Sequence, residues 1–246
     1  RHGMYSKGAT KELIEKIKKY QPDIIHLHNI HGYYLNIQLL FEFLREYNKP
    51  VVWTLHDCWS YTGHCSHYTC VECNRWQKEC YKCPLKKDYP GSILLDHSTQ
   101  NYRTKKQLFT SLVKLHLVTP SEWLKNEVEK SFFMDIPCTA IPNGIEIEKF
   151  VYRENNLKKT LGISNKKVIL GVANVWTEQK GINDFIQLAE LLDETYQLVM
   201  IGVDEQRKKR LPANIIALDR TKNIEELIDY YSMADIYFNS SIEETM

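Results

Sequence analysis

The chain has 246 residues, enough for one large domain or two of ordinary size with buried cores, and the composition of a soluble globular protein. Its 32 basic and 31 acidic residues leave a formal charge of +1, which excludes the broad basic field that steers proteins to nucleic acids or anionic membranes. No apolar run approaches the ~20 residues that span a bilayer, and "RHGMYSKGATKEL" lacks the apolar centre of a signal peptide, so a cytosolic chain is expected. A first residue other than Met and the abrupt stop at "EETM" point to a fragment.

A helix is predicted at "ATKELIEKIKKY", followed by a strand at "PDIIHLHN" that ends in the polar residues His28 and Asn29. The apolar spacing of "YLNIQLLFEFLREY" predicts a second helix, and "PVVWTLHD" a second strand that stops at His56 and Asp57. From Cys58 to about Asp96 periodicity is lost, which reads as a long excursion from the sheet. Regular structure resumes with a helix at "NYRTKKQLFTSLV", a strand at "LHLVTP", a helix at "SEWLKNEVEKSF" capped by Ser121, and a strand at "PCTAIPNG". The polar connector "EIEKFVYRENNLKKTLGISNKK" contains a short helix. Beyond it the alternation restarts: strand "KVILGVAN", helix "GINDFIQLAELLDE", strand "YQLVMIGV", helix "EQRKKRL", strand "NIIALD", helix "NIEELIDYYS" and strand "ADIYFNSS".

Short apolar strands alternating with helices imply parallel sheets covered on both faces. The expected fold is α/β, with two Rossmann-like doubly wound domains, residues 1–150 and 151–246, the first carrying the cysteine-rich insertion 58–96. Ligands of such sheets bind beyond the carboxyl ends of the strands. At one such tip, "GVANVWTEQKGINDF" places Lys180 and Gly181 at the mouth of a helix after Asn174, where a cation, backbone N–H groups and the helix dipole suit a phosphate or diphosphate. A solvated lysine beside a turn glycine is the bland alternative. His56 stands at another tip, next to an Asp57 that could fix its tautomer, and can exchange a proton near neutral pH or orient a sugar hydroxyl. Asn143 in "IPNG" and Glu244 in "IEETM" end two further strands, and read alone they are a turn and a solvated acid.

Five of the seven cysteines fall within residues 65–83. Cys70-x2-Cys73 and Cys80-x2-Cys83 give two thiolate pairs with the spacing of a structural, four-cysteine zinc site, with Cys65, His64 and His67 as spare ligands. Four protein ligands leave no open position, so no catalytic metal is expected.

In order, "VTPSEWL", "IPNGIEIEKF", "GVANVWTEQKGINDFIQLAELL" and "MADIYFNSSIEETM" resemble glycosyltransferase family 4, whose enzymes have the two-domain GT-B architecture. "PDIIHLHNIHGYYLN", "LHDCWSYTGHC" and the cysteine run are similar to its colanic-acid and exopolysaccharide branch. The resemblance implies a retaining transferase that moves a sugar from a nucleotide-diphosphate sugar to a lipid-linked or oligosaccharide acceptor. It further implies bacterial surface-polysaccharide assembly and peripheral membrane association at the cytosolic side, while the near-neutral charge speaks against a nucleic-acid partner. It assigns Lys180 to the donor diphosphate, Glu244 to the donor sugar, and Asn174 and Gly181 to the same ligand. His56 falls near the reacting carbon, with His28, Asn29, Asp57 and Asn143 toward the acceptor. Its recurring cysteines match Cys65, Cys73, Cys80 and Cys83, which leaves Cys65 and Cys70 as rivals for the fourth zinc ligand. Val175 stands where most members carry an Arg. A non-catalytic, zinc-stapled binding protein of the same fold is the alternative expectation.

Overall fold

A computed structural model of the chain describes residues 3–92, 95–242 and 244–245. The chain divides into two units, residues 1–143 with 245–246, and residues 144–244.

Unit 1 runs α1 (Lys7–Tyr20), β1 (Ile25–Leu27), α2 (Ile37–Tyr47), β2 (Val51–Thr54), α3 (Ser98–Phe109), β3 (Leu115–Thr119), α4 (Glu122–Glu129) and β4 (Cys138–Ala140). Its four strands lie in the order β1-β2-β3-β4, all parallel. Each helix can therefore only be a crossover, and the strand tips collect at one edge. Local chemistry sets the helix starts. Ser121, the predicted cap, accepts the Leu124 N–H at 3.2 Å to open α4, and Asn36 accepts that of Leu39 at 3.0 Å to open α2. The core is aromatic: Phe41 meets Phe109 at 4.5 Å, and Trp53 meets Phe109 edge-on at 4.9 Å.

Unit 2 contains α5 (Leu157–Thr160), β5 (Lys167–Val172), α6 (Ile182–Leu191), β6 (Tyr196–Ile201), α7 (Glu205–Lys208), β7 (Ile215–Leu218), α8 (Ile224–Met233) and β8 (Ile236–Tyr237). The sheet is again all parallel, in the order β7-β6-β5-β8. Its strands are apolar on both faces because both are covered. Ile169, Leu198 and Met200 pack with Trp176 and Phe185, while Val168, Leu170, Val199 and Ile201 pack with Met233 on the opposite side. The two four-stranded parallel sheets are the expected α/β, GT-B class of fold. No helix among the described residues is long and apolar enough to cross a membrane.

The excursion between β2 and α3 has two single turns of 3₁₀ helix, Thr69–Val71 and Arg75–Gln77. It holds a small core of its own. Trp76 is buried against Tyr61 at 5.0 Å and Tyr68 at 5.1 Å, and the Tyr68 hydroxyl donates to Glu127 of α4 at 2.6 Å. Residues 93–94 of the insertion lie outside the described residues. Helix α3 begins three residues before the predicted start, because Asp96 accepts the Ser98 N–H at 2.8 Å with one oxygen and the Cys83 N–H at 2.8 Å with the other. On the buried stripe of α3, among Ser98, Tyr102 and Phe109, sits Lys105. Its ammonium donates to the carbonyls of Trp59 at 2.7 Å and Thr62 at 2.9 Å and lies 3.5 Å from the centre of the Trp59 ring.

Candidate functional site

In unit 1 the parallel register that sets Leu27 beside Trp53 carries the residues after β1 and β2 to the same place. Trp53 Nε1 donates to the His28 carbonyl at 2.9 Å and pins the start of the β1 loop. His28 Nδ1 and His56 Nε2 then share a hydrogen bond of 2.9 Å, with the rings stacked at 5.3 Å. One ring must donate and the other accept, so the pair cannot carry a proton on both facing nitrogens. Behind it, His26 Nε2 lies 2.8 Å from Thr54 Oγ1. Burial, then the charge of His28, holds the His56 pKa below the ordinary histidine value, with Asp57 opposing. His56 is thereby kept neutral at neutral pH and able to accept a proton.

Asp57 does not pair with His56. Its Oδ2 lies 2.8 Å from His31 Nε2, and its Oδ1 accepts the Trp59 N–H at 2.9 Å. His31 is a site residue that sequence reasoning missed, since nothing in "HNIHGYY" marks the second histidine as the partner of an aspartate beyond the next strand. A hollow lined by His28, Asn29, His31, His56, Asp57 and Trp59 results. Asn143, exposed after β4, is not among its lining residues.

In unit 2 the tip of β5 is built around Trp176, whose indole is buried and donates to the Ile201 carbonyl at 2.8 Å. That anchor forces the chain over the sheet edge before α6 begins. Gly181 precedes α6 with φ +75°, and a Cβ there would come within 1.9 Å of Ser240 Oγ. Its glycine character follows from this approach rather than from any ligand. Gly181→Ala is expected to destabilise the protein by about 1–3 kcal/mol, read from the midpoint of urea unfolding. The segment after β8 docks onto this loop through Ser240 Oγ, which donates to the Gly181 carbonyl at 3.3 Å, and the Ile242 N–H, which donates to the Gln179 carbonyl at 2.9 Å.

This docking brings Lys180 Nζ to 2.5 Å from Glu244 Oε1. The pair keeps 40% and 36% of its side-chain exposure, so it is screened by water and open to a competing anion. Asn174 is exposed at the end of β5, and its carbonyl accepts from Arg220 Nε at 2.8 Å. A guanidinium from the end of β7 thus stands at the same sheet edge, although position 175 is Val. The sequence reading missed Arg220 because the bond crosses 46 positions of sequence and an intervening strand.

Of the five cysteines named as candidate zinc ligands, the fold brings four together. Cys65, Cys73, Cys80 and Cys83 line one cavity, whereas Cys70 is exposed and lies outside its lining. The chemistry of four thiols suits zinc, yet among the described residues no group of three or more His, Cys, Asp or Glu is arranged to hold a metal ion. The neighbouring Cys83 raises the pKa of Cys65, whose thiol lowers that of Cys83 in return, while burial pushes the Cys80 thiol up to about 11. The Gly63 N–H donates to Cys80 Sγ at 3.1 Å. The aromatic core of the excursion and Lys105 also hold it together.

The family model described as Glycosyltransferase Family 4 matches residues 2–149. The chain is 33% identical over 148 residues to the Escherichia coli protein WcaC, described as a colanic acid biosynthesis glycosyl transferase, an overlap of 57% of this chain and 36% of WcaC. It is 28% identical over 141 residues to the processive diacylglycerol alpha-glucosyltransferase of Acholeplasma laidlawii, covering 52% of this chain and 42% of that enzyme. Among solved structures, Anabaena Alr3699/HepE in complex with UDP superposes with a TM-score of 0.61 at 12% identity, over 95% of this chain and 57% of that one. The chain thus spans about two fifths of the length of these curated relatives and a little over half of the solved one.

Proposed function

The chain belongs to glycosyltransferase family 4, and we propose that it forms part of a retaining enzyme. The reaction moves a hexose from a nucleotide-diphosphate sugar to an acceptor hydroxyl during assembly of a bacterial surface polysaccharide, at the cytosolic face of the membrane. The observation that carries the reading is the Lys180–Glu244 pair. Two stretches 64 positions apart are laced together so that a cation and a carboxylate meet at the strand tips of a doubly wound sheet. That edge is where such sheets take nucleotides.

In this reading Lys180 leaves its weak surface partner for the donor diphosphate and offsets the charge that builds on it as the sugar leaves. Glu244, released, accepts hydrogen bonds from the donor sugar. Arg220 adds a second cation at the edge, Asn174 and Gly181 shape the tip, and His56 stands by the acceptor hydroxyl as a neutral imidazole. His28, Asn29 and Asp57 belong to the acceptor side, as does Asn143. The names of WcaC and of the diacylglycerol glucosyltransferase support a sugar transfer in polysaccharide or glycolipid assembly, and the UDP complex of HepE supports a nucleotide sugar as donor.

The experiment is to incubate the full-length protein with UDP- and GDP-sugars and with lipid-linked and oligosaccharide acceptors, and to identify products by mass spectrometry and NMR. A product with the donor's anomeric configuration is expected, and His56→Ala should slow its formation by about 10²–10⁴-fold. Donor binding without product from any acceptor would favour a non-catalytic binding protein, and no donor binding would overturn the reading. In the active enzyme kcat/KM should fall on the acid side, with a midpoint below the ordinary histidine value. His28→Ala should move that midpoint up, since His28 is one of the groups that lower it.

A further inference from the structure

Tyr89 carries the cysteine-rich excursion to the His31–Asp57 pair. Its hydroxyl stands 3.5 Å from His31 Nδ1, and its ring meets the imidazole edge-on at 5.9 Å. On the other side His31 packs against Trp59 at 5.5 Å. The imidazole is therefore held between Tyr89 and Trp59, with the Asp57 carboxylate beside it. Tyr33 and Tyr34 follow directly on the same loop as His31, and their phenol groups lie within electrostatic range of that of Tyr89.

All three tyrosines keep more than half of their surface in water, at 54%, 55% and 54% for Tyr33, Tyr34 and Tyr89. Their exposure is built rather than incidental. The Tyr34 hydroxyl donates to the Asn29 carbonyl, and its ring lies over Gly32, where a Cβ would come within 2.6 Å of it. Ser6 donates to the Tyr33 carbonyl, and Ser66 to that of Tyr89 at 3.4 Å. Rigid exposed rings beside a few fixed polar groups are the usual lining of a small-molecule site.

We propose that Tyr89, Tyr33 and Tyr34, with the His31–Asp57 pair, bind a neutral saccharide as the acceptor, its apolar ring face on the tyrosines and its hydroxyls on the imidazole and carboxylate. The word acceptor rests on the transferase reading above; the binding does not. Charge chooses the ligand class. No Lys or Arg is among the described residues lining the hollow, and Asp57 would repel a phosphate. An acyl chain would gain no hydrogen bond from the carboxylate and would cost that group its remaining hydration. A polyhydroxylated ring offers an apolar face to the tyrosines and hydroxyls to the neighbouring polar pair.

The test is saturation-transfer NMR on the full-length protein with the methyl glycosides of glucose, galactose and mannose, run beside 1-octanol. At least one glycoside should bind, Tyr89→Ala should weaken it roughly fivefold to tenfold, and Tyr89→Phe should retain it. Tyr81→Ala, which removes an exposed tyrosine held over Arg75 elsewhere in the excursion, should leave it unchanged. A Tyr33→Ala, Tyr34→Ala double variant gives a second reading from a different loop, and unaltered thermal melting shows that the variants fold. Absence of transfer from every glycoside, binding unaffected by Tyr89→Ala and by the double variant, or stronger transfer from 1-octanol would overturn the proposal. Titration of UDP- and GDP-sugars into the same samples reads the transferase proposal separately: glycoside binding without donor binding would sink that reading alone.

Discussion

Lys180→Ala is expected to lower kcat/KM for the nucleotide-sugar donor by about 10²–10³-fold in the full-length protein, the loss found when one preorganised donor to a developing charge is removed. The ammonium sits on a short loop locked by Trp176 below and by the β8 segment above, so little reorganisation is needed when a diphosphate arrives. Its resting partner Glu244 is half-exposed, and an exposed pair of this kind contributes about 0–1 kcal/mol, a small barrier to exchange. The effect should therefore appear chiefly in turnover. UDP affinity, followed by calorimetry, should weaken less than kcat/KM, and Lys180→Arg should recover part of both. Equal kcat/KM for wild type and Lys180→Ala would remove Lys180 from the chemistry.

The largest effect on stability is expected at Lys105. Lys105→Ala leaves a void among Trp59, Tyr102 and Phe109 and strips the Trp59 and Thr62 carbonyls of their donor. Together these should cost about 3–5 kcal/mol in chemical unfolding. Lys105→Met keeps most of the volume and should cost less.

The pH dependence distinguishes the charge from the packing. Burial pulls the Lys105 pKa from 10.5 down to about 7, with Cys80, Cys65 and Asp57 opposing. Between those values the unfolded chain holds the extra proton, so stability rises with pH through this window and is lost again as pH falls toward 7. From pH ~7 to ~9 the gain should be about 2 kcal/mol. Above that, Cys80 at about 11 and Tyr102 at about 12 act in the opposite sense, because each loses its proton more readily when unfolded. Wild type should thus be most stable near pH ~9, and Lys105→Met should lose the rise on the neutral side. An unchanged rise would mean that other groups produce it.

Lys105 also shows where sequence reading stops. The alternation of short apolar strands and amphipathic helices is legible because strands covered on both faces must be apolar throughout, and Val168 to Leu170 are so whichever side each faces. Strand tips were legible for the same reason: polarity returns where the sheet ends, at His28, His56, Asn174 and Lys180. A lysine at the buried stripe of "NYRTKKQLF" looks like any surface lysine, because what buries it is a carbonyl pair supplied by residues 43 and 46 positions away. The pairing of His31 with Asp57 was hidden in the same way, by a loop whose path no periodicity records. The thiol spacing left Cys65 and Cys70 as rivals, because sequence distance does not say which thiols meet, and the fold sets Cys70 apart while Cys65 joins Cys73, Cys80 and Cys83. Residues 1–143 and 144–244 as separate units place the break seven residues before the predicted boundary at 150.

Gly63 has no room for a side chain: a Cβ there would fall 2.1 Å from the carbonyl oxygen of Ser98, the first residue of α3. The excursion therefore leaves the sheet and rejoins it at a single neck. The segment between is tied to unit 1 again by Tyr68 on Glu127 and by Tyr89 beside His31, so its remaining sequence can change without shifting a strand where those contacts are kept. On the transferase reading, the proposed acceptor side would diversify by exchange of this one segment, and a chimera that swaps residues 64–97 between relatives while keeping Tyr68 and Tyr89 is the form such an exchange would take.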